Sequence, residues 1–291
     1  MGRARGTGRN RWRRLLRAGL VVTSLVGLVS LLAWLRTQRR LGPLPPVAGV
    51  VRENAEAWGR LVVAESRCVL VNNFWNARAT RGRLEQRVFA ATRGGNEVIG
   101  WAWRAPWLLS PTVVSFPEVV CGDKPWDEPL RLTQAFPFTV GSRRLIVDYD
   151  ARVAATGTYN LTFALWIVSS LPAGRSVISH EIMVWIAREG QQRPAGKPRG
   201  SVALGSNRFD VFIEQRQRDA SGANANQWTY VAFVAQKPVL HGPLDLSLLL
   251  DSLLSAGVLS RRHVLTSLEL GSEVSEGAGS VELTGFSVHV R

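Results

Sequence analysis

The chain has 291 residues, 46% hydrophobic and 20% charged, enough to bury one large core beside an appendage and too apolar for a disordered protein. Its formal charge of +14 suggests nucleic acid, yet ten arginines crowd into the first forty residues, where there is no acid, and removing them leaves +4. A nucleic-acid binder would need basic residues interleaved with aromatics on one face, which so modest an excess does not show.

In chain order, residues 1–17 form a basic segment with seven arginines, expected in the cytoplasm. Residues 18–35, AGLVVTSLVGLVSLLAWL, carry no charge and as a helix just reach across a hydrocarbon core of about 30 Å. A cleaved signal peptide competes with an uncleaved anchor. The run is long for a signal and ends in WLRTQRRLG without a small-x-small cleavage site, which favours a transmembrane signal-anchor. Seven arginines before the run against three after it place the rest of the chain outside the cytoplasm. Arg13-Arg14 fits a twin-arginine export signal poorly. Residues 36–49, with LGPLPPVAG, read as a proline-rich, semi-rigid linker, and the domain proper covers 50–291.

That domain reads as many short β segments separated by Gly, Pro, Asn and Ser, among them RCVLVNNFW, RLIVDYDARV, YNLTFALWIV, EIMVWIA, RFDVFIEQR, WTYVAFVA and GSVELTGFSVHV. Their number and spacing predict an all-β sandwich or jelly roll. One segment departs from this: GPLDLSLLLDSLLSAG has Leu246, Leu249, Leu250, Leu253 and Leu254 at helical spacing, with Asp245 near its start and Gly257 at its end.

Several chemistries lose support. The four histidines show no paired spacing and only Cys68 and Cys121 supply thiols, so no metal site is expected. G-x-S-x-G, P-loop and dinucleotide motifs are absent from the sequence. In an exported domain Cys68 and Cys121 can form a disulfide, or they can remain two buried thiols.

Carboxylates and aromatics remain. In EIMVWIA, strand alternation puts Glu181, Met183 and Trp185 on one face and the aliphatic Ile182, Val184 and Ile186 on the other. Eleven tryptophans are many, and Trp75, Trp101, Trp103, Trp126, Trp166, Trp185 and Trp228 stand near polar residues. Indole faces stack on sugar rings while Asn, Asp and Glu bond the hydroxyls, so their recurrence favours a carbohydrate cleft, although core packing explains any single one. Glu118, Asp123 and Asp127 fall in a predicted loop and read as solvated or cleft-rim residues. Asp148 and Asp150 read as one exposed strand face.

Four ordered stretches resemble glycoside hydrolase family 12, the β-jelly-roll endoglucanases and xyloglucan hydrolases, through most of residues 66–291. VNNFWNA resembles its N-N-x-W strand, and SFPEVVCGDKPW its S-Y-P-x-x-x-x-G-x-K-P-W stretch. EIMVWIA is similar to its nucleophile strand, and LELGSEVSEGAGSVELTGFSVHV to its acid/base segment with a final F-x-V strand. The resemblance implies a sandwich of two antiparallel sheets with a concave cleft and one helix. It also implies endo-acting, retaining hydrolysis of β-1,4-glucans, with Glu181 as nucleophile and Glu273, not Glu276, as acid/base. Such a pair stands about 5 to 5.5 Å apart. Asn73 and Trp75 fall at sugar-binding positions on the glycone side, and Trp126, Asn160, Met183 and Trp185 are further expected substrate contacts. No cofactor is implied. The expected partners are the β-glucan and, through the N-terminal helix, a membrane, with the protein itself a monomer.

One position departs from the family pattern. The aspartate of its Y-D-x-W or Y-D-x-F strand, which contacts the nucleophile, is replaced by Ala164 in Phe163-Ala164, with Asn160 on the same face. Losing that acid should alter the pKa and orientation of Glu181, and it opens the alternative of a glucan-binding protein with weak turnover or none.

Overall fold

The computed structural model describes residues 27–32, 35, 42–63, 66–108 and 112–291. They belong to two units. In the first, Met1–Arg40 with Trp107–Pro111, residues 27–32 and 35 are helical and exposed. The rest of the expected membrane span, the basic segment 1–17 and linker residues 36–41 lie outside the described residues. Among the described residues no helix is long and apolar enough to cross a membrane.

The second unit, Leu41–Pro106 with Thr112–Arg291, is built from fifteen described strands. One layer has the antiparallel order β1 (Val50–Asn54), β4 (Glu85–Arg93), β5 (Asn96–Ala105), β15 (Val274–Val290) and the first half of β8 (Leu145–Val168). The other layer starts with β2 (Arg60–Val63), β3 (Cys68–Val71), β6 (Glu118–Gly122) and β14 (Val264–Gly271). It continues through the second half of β8 to β9 (Ile178–Glu189), β12 (Gln227–Ala235), β11 (Asn207–Arg218) and β10 (Lys197–Leu204). The two-residue strands β7 (Phe138–Thr139) and β13 (Leu244–Asp245) pair with β14 and β8.

Strand β8 serves both layers because it turns a corner. Tyr149 and Phe163 would stand about 45 Å apart along a straight strand, yet their ring centroids are 5.3 Å apart. At the corner Gly157 (φ +120°) faces Gly277 (φ +105°) of β15. A Cβ on Gly157 would meet the Glu276 carbonyl oxygen at 2.2 Å, and one on Gly277 that of Thr156 at 2.0 Å. Glycine is required at both by space as well as by φ.

The expected pair of antiparallel sheets is thus corrected twice. The layers form one hydrogen-bonded ladder through β8, and β9 and β12 are parallel, since the chain reaches β12 only after passing out through β10 and back along β11. Between the layers lie Ile182, Val184 and Ile186 of β9, Phe163 and Leu165 of β8, and Trp101 and Trp103 of β5, all at most 1% exposed. Each such side chain contributes about 1.5 to 3 kcal/mol.

The helix predicted from leucine spacing is α1 (Ser247–Ser255), which buries Leu249, Leu250 and Leu253. It ends at Gly257 (φ +69°), where the N–H groups of Gly257 and Val258 donate to the carbonyls of Leu254 and Leu253 at 3.1 and 2.9 Å. A disulfide joins Cys68 of β3 to Cys121 of β6. Leu44 and Val47, in the expected linker, pack on Phe89, Ala91, Val98 and Ala102, and Arg87 donates to the Pro45 carbonyl at 3.0 Å.

Candidate active site

Strand register assembles a row of cleft residues on the larger layer. Ala164 of β8 stands between Glu269 of β14 and Met183 of β9. Two residues further along β8, Trp166 is opposite Glu181, and Glu181 is opposite Tyr230 of β12. These side chains line a cavity of about 350 Å³ together with Asn73, Trp75, Trp126, Trp228 and Glu273.

Glu181 is half-buried and accepts a hydrogen bond from Trp228 Nε1 at 2.8 Å. Burial pushes its pKa up to about 8, opposed by the Trp228 bond, with nearby Glu273 raising it and Lys124 lowering it. Glu273 sits between β14 and β15, half-buried. Asn160 fixes it on both sides: the amide donates to Glu273 Oε2, and the Glu273 N–H donates to Asn160 Oδ1 at 2.9 Å. Burial raises the Glu273 pKa to about 7, opposed by bonds from Asn160 and Gln192.

Under one side of the cleft lies a buried charge cluster. Lys124 Nζ is 2.8 Å from Glu118 Oε1 and 3.2 Å from Glu269 Oε1, and Asn73 Nδ2 donates to Glu118 Oε1 at 2.7 Å. Burial works against the Lys124 charge, but the two glutamates outweigh it and its pKa is raised. Burial, and then Glu118, hold the Glu269 pKa well above the usual carboxylate range. Among the described residues no group of three or more His, Cys, Asp or Glu is placed to hold a metal ion.

Of the residues singled out in the sequence, Glu181, Glu273, Asn73, Trp75, Trp126 and Met183 come together at the cavity. Trp185 and Asn160 are not among its lining residues. Trp185 is 1% exposed in a cluster with Met183, Tyr230, Ala232 and Val234 against which Phe116, Ala195 and Phe212 pack, and Asn160 is fully buried with its amide committed to Glu273. Glu118, expected in a loop, is a fully buried strand residue. Asp127 lines the cavity, paired with Arg60 at 2.8 Å. Glu276 is 1% exposed, accepts from Thr158 and does not line the cavity. Trp101 and Trp103 belong to the core, where Trp101 Nε1 donates to Ser272 Oγ at 3.0 Å.

Sequence reasoning passed over Lys124, Glu269 and Tyr230, and also Trp58, which lines the cavity while 51% exposed. The signal for Trp58 was composition alone, one more tryptophan ahead of the Asn-Asn-x-Trp stretch that follows β3.

Two half-buried carboxyls facing one cavity walled by tryptophan are the equipment of a glycoside hydrolase. The family model for glycosyl hydrolase family 12 matches residues 66–291, and the chain belongs to that family. Endoglucanase S of Pectobacterium parmentieri is 25% identical over 236 residues, covering 80% of this chain and 85% of that protein. The probable cellulase Cel12b of Mycobacterium tuberculosis is 26% identical over 145 residues, covering 50% of this chain and 87% of that protein. The family 12 xyloglucanase from Bacillus licheniformis superposes with a TM-score of 0.72 at 22% identity, covering 82% of this chain and 100% of that one. Endoglucanase cel12A from Rhodothermus marinus gives 0.67 at 22% identity, covering 83% and 99%.

Proposed function

We propose that the protein is an endo-acting, retaining β-1,4-glucan hydrolase with Glu181 as nucleophile and Glu273 as acid/base. The observation that carries the reading is the convergence of these two carboxyls on one cavity, each held by its own donor, Trp228 for Glu181 and Asn160 for Glu273. Glu181 attacks the anomeric carbon to form a glycosyl ester while Glu273 protonates the leaving oxygen. Glu273 then takes a proton from water, which displaces Glu181 from the sugar. Similar proteins named endoglucanase, cellulase and xyloglucanase support a glucan such as cellulose or xyloglucan as the substrate class, and mixed-linkage glucan is the third candidate.

The test is reducing-end release from soluble xyloglucan, mixed-linkage β-glucan and carboxymethyl cellulose by the full chain in detergent. Glu181→Ala and Glu273→Ala should each lower kcat by at least about 10³-fold. Azide rescue of Glu181→Ala should yield the inverted glycosyl azide, and rescue of Glu273→Ala the retained one; rescue with swapped stereochemistry would reverse the roles.

Ala164 favours a second reading, a glucan-binding protein with weak turnover or none. Its neighbours across the strands are Glu269 and Met183, so the position offers Glu181 no carboxyl from β8. Retardation in a glucan gel without reducing-end release would establish that reading.

The domain is placed outside the cytoplasm, held by residues 18–35 as an anchor. The uncharged run supports this, as does the Cys68–Cys121 disulfide, a bond of oxidising compartments. Full-length protein in the soluble cytoplasmic fraction, or a trimmed form free in the medium, would contradict it.

A further inference from the structure

Charge around the cleft is unevenly cancelled. Asp127 is paired with Arg60. Asp219 accepts from Trp75, Ser221 and Asn224, bonds that outweigh its burial and lower its pKa. Glu269 faces Lys124. Two exposed cations that line the same cavity, Arg175 and Arg218, have no carboxylate partner among the described residues.

Neutral groups hold both. The Arg175 guanidinium lies 5.8 Å from the centre of the Trp126 ring. With the Gln227 amide oriented by its own network, its oxygen accepts from Arg218 Nε and Nη2, both at 2.7 Å. Asn226, beside Gln227, donates to the Arg175 carbonyl at 3.2 Å. The hairpin from β11 to β12 and the loop after β8 thereby bring the two arginines to one end of the cleft. Stacking and amide contacts fix a guanidinium without cancelling its charge.

A neutral glucan offers such cations only hydroxyls. We propose that this end of the cleft takes a glucan bearing carboxylate groups, with Arg175 and Arg218 as the residues that recognise them. A guanidinium fork matches a carboxylate bidentately, and an exposed pair of forks selects for charge without needing a buried ion pair. The carboxylate can be part of the ring, as a uronate, or carried on an acidic substituent. The inference rests on reading the cleft as a glucan site, but it does not require turnover.

Binding is therefore measured in the full chain in detergent, in a Glu181→Gln background so that nothing is cut, leaving the hydrolytic reading to its own assay. The probes are C6-oxidised cellulose, carboxymethyl cellulose and neutral hydroxyethyl cellulose. At about 20 mM salt the carboxylated polymers should bind about tenfold more tightly than the neutral one, roughly threefold per arginine, and the advantage should vanish near 500 mM. It should be lost in Arg175→Gln/Arg218→Gln and kept in Arg9→Gln/Arg11→Gln, which removes equal charge far along the chain from the cleft residues. An advantage confined to the oxidised polymer identifies ring uronates, and one confined to the carboxymethyl polymer identifies pendant acids; either supports the proposal. It is overturned if neutral polymer binds as tightly, if the cleft variant keeps the advantage, if the N-terminal variant loses it equally, or if double-stranded DNA competes as well as the carboxylated glucan.

Discussion

Trp228 of β12 donates its indole N–H to Glu181 of β9 at 2.8 Å, across the parallel strand pair. The bond stabilises the ionised carboxylate, so Trp228→Phe should raise the Glu181 pKa further and, because that value is the higher of the Glu181–Glu273 pair, move the alkaline limb of the rate profile upward. Hydrogen bonds to charged groups of this kind correspond to a loss of about 10- to 100-fold in kcat/KM. An unchanged profile in a folded variant would remove Trp228 from the site's electrostatics.

In the proposed mechanism turnover requires one proton on the Glu181–Glu273 pair. With values raised to about 8 and about 7, kcat/KM should rise through pH 7 and fall through pH 8, a bell narrower and more neutral than two ordinary carboxylates would give. Stability has its own sign. Each folded-state pKa lies above the unfolded carboxylate value of about 4.3, so the contribution is full below about pH 4 and is lost as pH rises through the folded values. Glu273→Gln should raise Tm by roughly 2 to 4 °C at pH 8, and the gain should disappear near pH 4, as differential scanning calorimetry would show.

Gly157→Ala places a methyl group 2.2 Å from the Glu276 carbonyl oxygen at the corner of β8. Denaturant unfolding should show a loss of about 3 kcal/mol. Because Gly277 forms the other half of the same corner, Gly277→Ala should combine with it non-additively.

Lys124→Met leaves Glu118 buried without a cation. The expected cost is about 3 to 5 kcal/mol in an equilibrium unfolding experiment, with part of it restored by adding Glu118→Gln. If Lys124→Met alone were neutral, the cluster would be hydrated rather than paired.

Alternation made the two faces of β9 legible in the sequence, and leucine spacing gave α1. What alternation could not convey is what covers each face. Met183 and Trp185 share a face with Glu181, yet Trp185 is 1% exposed in a cluster covered by Phe116 and Phe212, side chains brought in from distant segments. Trp101 and Trp103 look as available to sugar in sequence as Trp75 does, and only the second layer lying over them makes them core. Glu118 and Lys124 are only six residues apart, but Glu269 comes from far along the chain, so their meeting depends on register between β6 and β14. Asn160 was on the right face, but its amide is committed to Glu273 rather than to substrate.

The placement of the last two strands also matters for how the chain is made. Strand β14 lies between β8 and β6, and β15 between β5 and β8, so the domain's last strands in chain order fill the middle of both layers. Until they arrive, β5, β6 and β8 each present an unpaired edge, the kind of surface that joins to other chains. If the domain is exported, it crosses as an open chain and closes only after β15 has passed. A stall in translocation, or the loss of even the closing strand, would leave an adhesive half-sheet rather than a weakened enzyme.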